Sequence, residues 1–132
     1  KQSKLLMKAH KFILVLRIAV AIILIQTLRF KFTGHEDSIY IFETVGLEPY
    51  GRIGIGILEL IAGLLILIPK TIWIGAFLTL GVIGGAIVMH LTLLGTNVRG
   101  DGGVLFYSAI ATFTLSAIIL YSQKKSIPIN RI

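Results

Sequence analysis

The chain has 132 residues, of which 55% are hydrophobic and 14% are charged, and it contains no cysteine. Soluble domains carry about 25% charged residues, and the mean hydropathy of this chain is +0.90, so the composition is that of a membrane protein and excludes a soluble enzyme. Without cysteine the chain has no disulfides, thiolate nucleophiles or Cys-ligated metal centres. The net charge of +7 would suit nucleic acid, but the basic residues lie at the ends of apolar segments, as topology signals do.

Four apolar segments have about the 20 residues that a helix needs to cross a bilayer. They run over residues 12–30, 52–68, 73–94 and 104–121. Pro69 ends the second segment, Gly95 follows the third, and a glycine-rich turn over residues 99–103 precedes the fourth. Basic residues, and no small-residue cleavage site, follow the first segment, which predicts a retained span.

The distribution of Lys and Arg predicts the orientation of these spans. Most of them lie in the N-terminal tail, in the turn between the second and third spans, and in the C-terminal tail, which predicts that both termini are cytoplasmic. The longest connection, residues 31–51, contains an apolar stretch at 38–45 that is expected to form a short helix on the outer surface, ended by Gly46. The sequence therefore predicts an all-α membrane protein, a single antiparallel four-helix domain over residues 1–132.

Ionisable residues within the spans are the candidates for function, because a charge at the bilayer centre costs at least about 2.5 kcal/mol. They are Arg17, Arg29, Glu59 and His90. At about 1.5 Å per residue, Glu59 lies about 10 Å and His90 about 6 Å below the outer ends of their helices. Arg29 ends the first span on the same side, so we expect three polar groups from three helices in the outer half of the membrane.

Small residues surround the acid on one stripe of the second span, made of Arg52, Gly56, Glu59 and Gly63. Gly81 and Gly85 offer a similar close approach on the third span. Tight packing of the second and third spans would place Glu59 and His90 in one compartment screened from lipid. We expect this compartment to be a polar pocket below the outer surface.

Each of these residues also has a simpler structural explanation. Arg17 is within reach of the cytoplasmic surface by snorkelling. Arg29 and Lys31 are typical interface anchors. Glu59 can be protonated or paired with Arg29, and His90 can bond a backbone carbonyl.

The sequence contains few residues that could bind a metal ion or a cofactor. His90 is the one histidine within a span, so a bis-His haem is not expected. One Glu and one His do not make a zinc site. The segment Arg99–Gly103 lacks the lysine and hydroxyl of a phosphate loop. We expect no haem, metal or flavin.

A set of residues in a fixed order resembles the DoxX/DoxD family of small four-helix membrane proteins. The resemblance covers about residues 17–121 and rests on Arg17, Lys31, Phe42, Gly46-Leu47, the Gly56-x-x-Glu59 pair and the Ala86-x-x-x-His90 pair. It implies a protein of the bacterial inner (cytoplasmic) membrane. In the best-understood relatives it implies a subunit of a thiosulfate:quinone oxidoreductase or a membrane partner of redox enzymes.

Two hypotheses from different classes follow. In the first, the chain is a quinone-linked oxidoreductase subunit in which Glu59 and His90 are catalytic and Arg29, Lys31 and Arg17 bind the quinone. The resemblance supplies all of these positions except Arg29, which geometry adds. In the second, the chain is a non-catalytic subunit that stabilises or recruits a larger membrane complex, as a homo-oligomer or with a membrane or redox protein. A transporter is a third possibility, although four unbroken helices without inverted repeats make a poor one alone.

Overall fold

The computed structural model describes residues 2–125, and within this range the chain is helical with no strand. A 3₁₀ turn, Pro69–Thr71, joins the third and fourth helices, and a π-helix, His90–Leu94, continues the fourth. The α-helices are α1 (Gln2–Thr33), α2 (Glu36–Thr44), α3 (Tyr50–Leu67), α4 (Ile72–Met89) and α5 (Val104–Ser122). The chain beyond residue 125, which holds the rest of the predicted cytoplasmic tail, lies outside the described residues.

The four predicted spans are confirmed, since α1, α3, α4 with its π-helix, and α5 are each long and apolar enough to cross a membrane. The predicted surface helix is α2, and Gly46 beyond its end has the positive φ of 78° that favours glycine. The main difference is α1, which begins at Gln2 and not near residue 12. Its first residues are mostly Lys, Gln and Leu, which favour helix, so the helix continues.

The spanning helices form an antiparallel ring in which each packs on two neighbours. α1 contacts α3 and α5, and α4 contacts the same two helices from the opposite side. We call the end that carries α2 and residues 95–103 the loop end, and the end that carries the Pro69–Thr71 turn the hairpin end.

The closest approach in the bundle joins α3 and α4 near the hairpin end. A Cβ atom built on Gly75 would lie 2.5 Å from the backbone nitrogen of Ile66. Ala62, Ile66 and Ala76 around this point are at most 1% exposed. Glycine at position 75 therefore allows two helix backbones to touch, which short connections and small residues favour in membrane bundles.

The outer surface of the bundle is apolar. At most 28% of the residues in each spanning window are buried. Large hydrophobic side chains such as Ile22, Leu64, Phe77 and Ile118 are more than 40% exposed. Exposure of such an apolar surface to water would be unfavourable, whereas contact with lipid acyl chains is favourable. The chain is a multi-pass membrane protein.

Helix α1 extends past the bundle at the hairpin end. Its 32 residues span about 48 Å, against about 27 Å for an 18-residue helix. Residues 3–12 are all exposed. We call residues 3–12 the arm; it carries Lys4, Lys8 and Lys11 beyond the other helices.

The close contact at Gly75 predicts that adding one methyl group there lowers the stability of the protein, whereas adding one at a more open glycine does not. Gly75→Ala should destabilise the protein by about 1–3 kcal/mol, because the Ile66 backbone cannot yield as a side chain would. Gly85→Ala, at a helical glycine whose Cβ would meet nothing within 4 Å, should leave stability unchanged or raise it by up to about 1 kcal/mol. Thermal unfolding in detergent measures both variants, and equal melting temperatures would contradict the prediction.

Candidate functional site

Glu59 on α3 is held by two groups of α1. Its side chain is buried, with Oε1 3.1 Å from the Lys31 ammonium and Oε2 2.9 Å from the Thr27 hydroxyl, whose one hydrogen is shared between Oε2 and the carbonyl oxygen of Leu24. Thr27 and Lys31 are one helical turn apart and so lie on the same face of α1. Both carboxylate oxygens of Glu59 are therefore engaged across the α1–α3 interface.

The rest of the predicted stripe on α3 faces α1 as well. A Cβ atom on Gly56 would lie 2.7 Å from the ring of Phe32, and one on Gly63 would lie 3.5 Å from Ile25. The stripe is real, but the prediction that it packs against the third span is wrong. α4 packs on another face of α3, the one that meets Gly75.

Arg52 extends the same interface toward the loop end. Its Nε donates to both oxygens of Glu48, at 2.9 and 3.0 Å. Its Nη1 donates to the backbone carbonyl of Lys31. The residue that supplies the ammonium to Glu59 is thus also held through its backbone, which fixes the end of α1.

His90 lies apart from this cluster. Its Nδ1 is 3.0 Å from the carbonyl oxygen of Gly95, and its ring meets Phe106 edge-on with centroids 5.6 Å apart. Between residues 2 and 125, no hydrogen bond or ion pair joins His90 to Glu59. The predicted Glu59–His90 pair is therefore not joined directly, because Glu59 binds Lys31 and Thr27 of α1 whereas the ring of His90 meets Phe106 of α5.

Arg29 does not take part in the Glu59 cluster. Its side chain is exposed, and its guanidinium carbon lies 5.3 Å from the ring centroid of Phe30. The predicted pairing of Arg29 with Glu59 is wrong because two residues along a helix turn by about 200°. Lys31 faces α3, and Arg29 therefore faces away from it.

Arg17 binds the end of α3 at the hairpin end. Its Nε donates to the carbonyl of Ile66 and its Nη2 to that of Leu67, both at 2.8 Å. These carbonyls belong to the last turn of α3, where they lack helical partners and carry partial negative charge. Arg17 is only 9% exposed, so it is a buried helix cap and not a side chain that snorkels to water.

The loop over residues 95–103 is tied to α2 and α5. The Nε of Arg99 lies 2.9 Å from Oδ1 of Asp37. The carboxylate of Asp101 accepts bonds from the backbone N–H groups of Val98, Gly103 and Leu105. Asp101 thereby caps the start of α5. Sequence reasoning treated this segment only as a turn, although an Asp just before an apolar run is a known N-cap signal.

The electrostatics of Asp101 reflect this position. Burial alone raises the pKa of Asp101, but the hydrogen bonds from the backbone N–H groups of Leu105, Gly103 and Val98, together with a smaller electrostatic contribution from His90, lower it by more. The net pKa lies below the ordinary value of 3.8. The carboxylate is therefore the favoured form in the folded protein.

Candidate metal ligands do not cluster in the described range. Between residues 2 and 125, no three or more His, Asp or Glu side chains are placed to hold one ion. The groups with cofactor-binding chemistry divide between the two ends, with Lys31, Glu59 and His90 nearer the loop end and Arg17 near the hairpin end. The predicted catalytic and quinone-binding roles stay predictions.

A family model described as DoxX matches residues 12–92 of the chain. The chain belongs to the DoxX family. The matched region contains Arg17, Lys31, Glu59 and His90, and it ends within the π-helix, so α5 and the Asp101 cap lie outside it. No curated protein and no solved structure matches this DoxX-family chain.

The Asp101 cap predicts a pH dependence of stability. Because the folded pKa is depressed, the cap contributes fully above the unfolded value of 3.8 and is lost as pH falls through the lower folded value. At neutral pH, the melting temperature of the wild-type protein should be higher than that of Asp101→Asn. The gap between their melting temperatures should narrow below about pH 4, and a gap that stays constant would contradict the prediction.

The Lys31–Glu59 ion pair predicts that replacing one partner greatly lowers the stability of the protein. Lys31→Met should destabilise the protein by about 3 kcal/mol because it leaves a buried carboxylate unpaired. Arg29→Met, the same change at an exposed position, should change stability by about 0.5 kcal/mol or less. Unfolding in detergent measures both variants.

A double variant, Lys31→Met with Glu59→Leu, makes this prediction specific to the pair. It should be more stable than Lys31→Met alone, because no unpaired charge remains. Additive losses in the double variant would mean that the two side chains do not stabilise each other.

Proposed function

We propose that this DoxX-family protein is a non-catalytic membrane subunit of a larger complex. The engagement of both Glu59 oxygens by Lys31 and Thr27 carries the proposal. A carboxylate held in this way has a structural role, because it stabilises the α1–α3 contact. Arg17, which caps α3, has a similar role at the other end.

A free helix face supports the presence of a partner. Cβ atoms on Gly81 and Gly85 would meet nothing within 4 Å, so these glycines are not used to pack the chain's own helices. Phe77 and Val88 on the same face are more than half exposed. Small residues on an outer face allow another transmembrane helix to approach closely.

We place the protein in the bacterial inner membrane with the hairpin end in the cytoplasm. The family supports the location, and the distribution of charge supports the orientation. The arm, Lys70 and Lys124 make the hairpin end basic, whereas Glu36, Asp37 and the other acids lie toward the loop end. Excess Lys and Arg mark cytoplasmic segments.

The second candidate function is a quinone-linked oxidoreductase subunit. The position of His90 favours it, because His90 is buried, lies at a π-helix, and has an Nε2 atom with no partner among residues 2–125. π-helical turns are frequent at functional sites. His90 would donate to a quinone carbonyl without help from Glu59, and a partner protein would supply the electrons.

Native purification with a matched glycine pair tests the first proposal. The tagged chain should purify from its native membrane with a stoichiometric partner. Gly85→Leu should lose that partner, because a leucine on this face blocks close helix approach. Gly54→Leu, at a glycine of α3 that also has nothing within 4 Å, should keep it.

The same preparations distinguish the second candidate. Incubated with thiosulfate and a soluble quinone, the chain purified together with its partner should give no turnover that depends on His90 if the chain is non-catalytic. Quinone reduction that Glu59→Gln leaves intact and His90→Ala abolishes would favour the oxidoreductase role. Retention of the partner by Gly85→Leu would contradict the proposed docking face.

A further inference from the structure

Within residues 2–125, Arg17 is a buried cation without an acidic partner. Two of its five N–H donors bind backbone carbonyls, and in residues 2–125 no other partner meets the guanidinium. The six acids of the whole sequence lie elsewhere, at Glu36, Asp37, Glu43, Glu48, Glu59 and Asp101. Carbonyl dipoles do not neutralise a full charge, so the site favours an anion, which residues 2–125 do not provide.

A cavity of about 430 Å³ lies beside Arg17 at the hairpin end. It is formed where the arm passes the start of α4 and the end of α5. Its walls combine the apolar side chains of Leu6, Ile13 and Ile72 with the polar groups of His10 and Ser122. A ligand in this cavity would meet a guanidinium, hydrogen-bonding groups and apolar side chains.

The surroundings of the cavity are positively charged. The arm carries Lys4, Lys8 and Lys11, the hairpin carries Lys70, and the end of the described chain carries Lys124. No acidic residue is present in residues 1–35 or 102–132. Clusters of basic residues beside a transmembrane helix attract anionic lipids at about 1 kcal/mol per residue.

We propose that this cavity binds an anionic phospholipid, with Arg17 as the counter-ion of its phosphate. The guanidinium presents planar N–H groups that match phosphate oxygens, and it is more weakly hydrated than an ammonium group. The apolar walls suit the first part of the acyl chains. A free phosphate would satisfy Arg17 but leave Leu6, Ile13 and Ile72 against water, which favours the lipid. This site is independent of the partner face and of His90.

Trp73 provides a fluorescence readout of lipid near the start of α4, at the hairpin end. It is the only tryptophan of the chain and follows Ile72, which lines the cavity. In phosphatidylcholine bilayers, phosphatidylglycerol with brominated chains should quench Trp73 at about tenfold lower mole fraction than brominated phosphatidylcholine does. This ratio corresponds to one charge-assisted contact.

A cavity-filling variant separates the site from general surface charge. Ala9 also lines the cavity, and Ala9→Leu fills space there while keeping every charge of the chain. It should abolish the preference for phosphatidylglycerol. Ala117→Leu, the same change at an exposed position of α5, should keep the preference. Arg17→Gln should also abolish it, and Ala9→Leu remains decisive if loss of the α3 cap prevents Arg17→Gln from folding.

Three outcomes would overturn the proposal. Equal quenching by the two brominated lipids in wild type would show that the cavity has no preference for an anion. A preference that survives Ala9→Leu would place the attraction on the surface lysines. Loss of the preference in millimolar inorganic phosphate, at constant ionic strength, would show that the site takes a free anion and not a lipid.

Discussion

The ion pair between Lys31 and Glu59 is the interaction on which the arrangement of the bundle depends. A carboxylate at membrane depth must be neutralised or paired, because hydrocarbon offers it neither water nor counter-ions. Pairing with Lys31 and Thr27 fixes both the rotation and the height of α3 against α1. The glycines on the same stripe then meet Phe32 and Ile25 at short distances. Packing specificity thus comes from one polar contact, and small residues allow it to form.

The charged side chains at the two ends of the molecule have different kinds of partner. At the loop end, acidic and basic side chains are matched within the chain, as in the pairs of Arg52 with Glu48 and Arg99 with Asp37. At the hairpin end, Arg17 is buried among carbonyls and hydrocarbon, and no acidic side chain within residues 2–125 meets it. The loop end therefore pairs several of its charges within the chain, whereas Arg17 at the hairpin end is held by backbone carbonyls.

Much of the fold was predictable because hydropathy and length alone determine where a helix can span a bilayer. The stripe around Glu59 was predictable too, from its periodicity. Periodicity identifies the residues of a face but not the helix that this face meets, so the neighbour of the stripe was misassigned to the third span.

Arg29 was considered as an alternative partner of Glu59 because the end of α1 was placed at Phe30. With α1 continuing to Thr33, Lys31 falls one turn after Thr27 and faces α3. Arg17 could not be placed for another reason. Its partners are backbone carbonyls, which every helix end provides and no sequence pattern marks.

The uneven charge of the two ends has an electrical consequence. A membrane potential of 100 mV performs about 2.3 kcal/mol of work on each elementary charge that crosses it. In the proposed orientation, inverting the protein would carry the lysines of the arm and the hairpin outward against a negative interior. The membrane potential would therefore oppose inversion of the inserted protein, and it would continue to maintain the orientation after synthesis has ended.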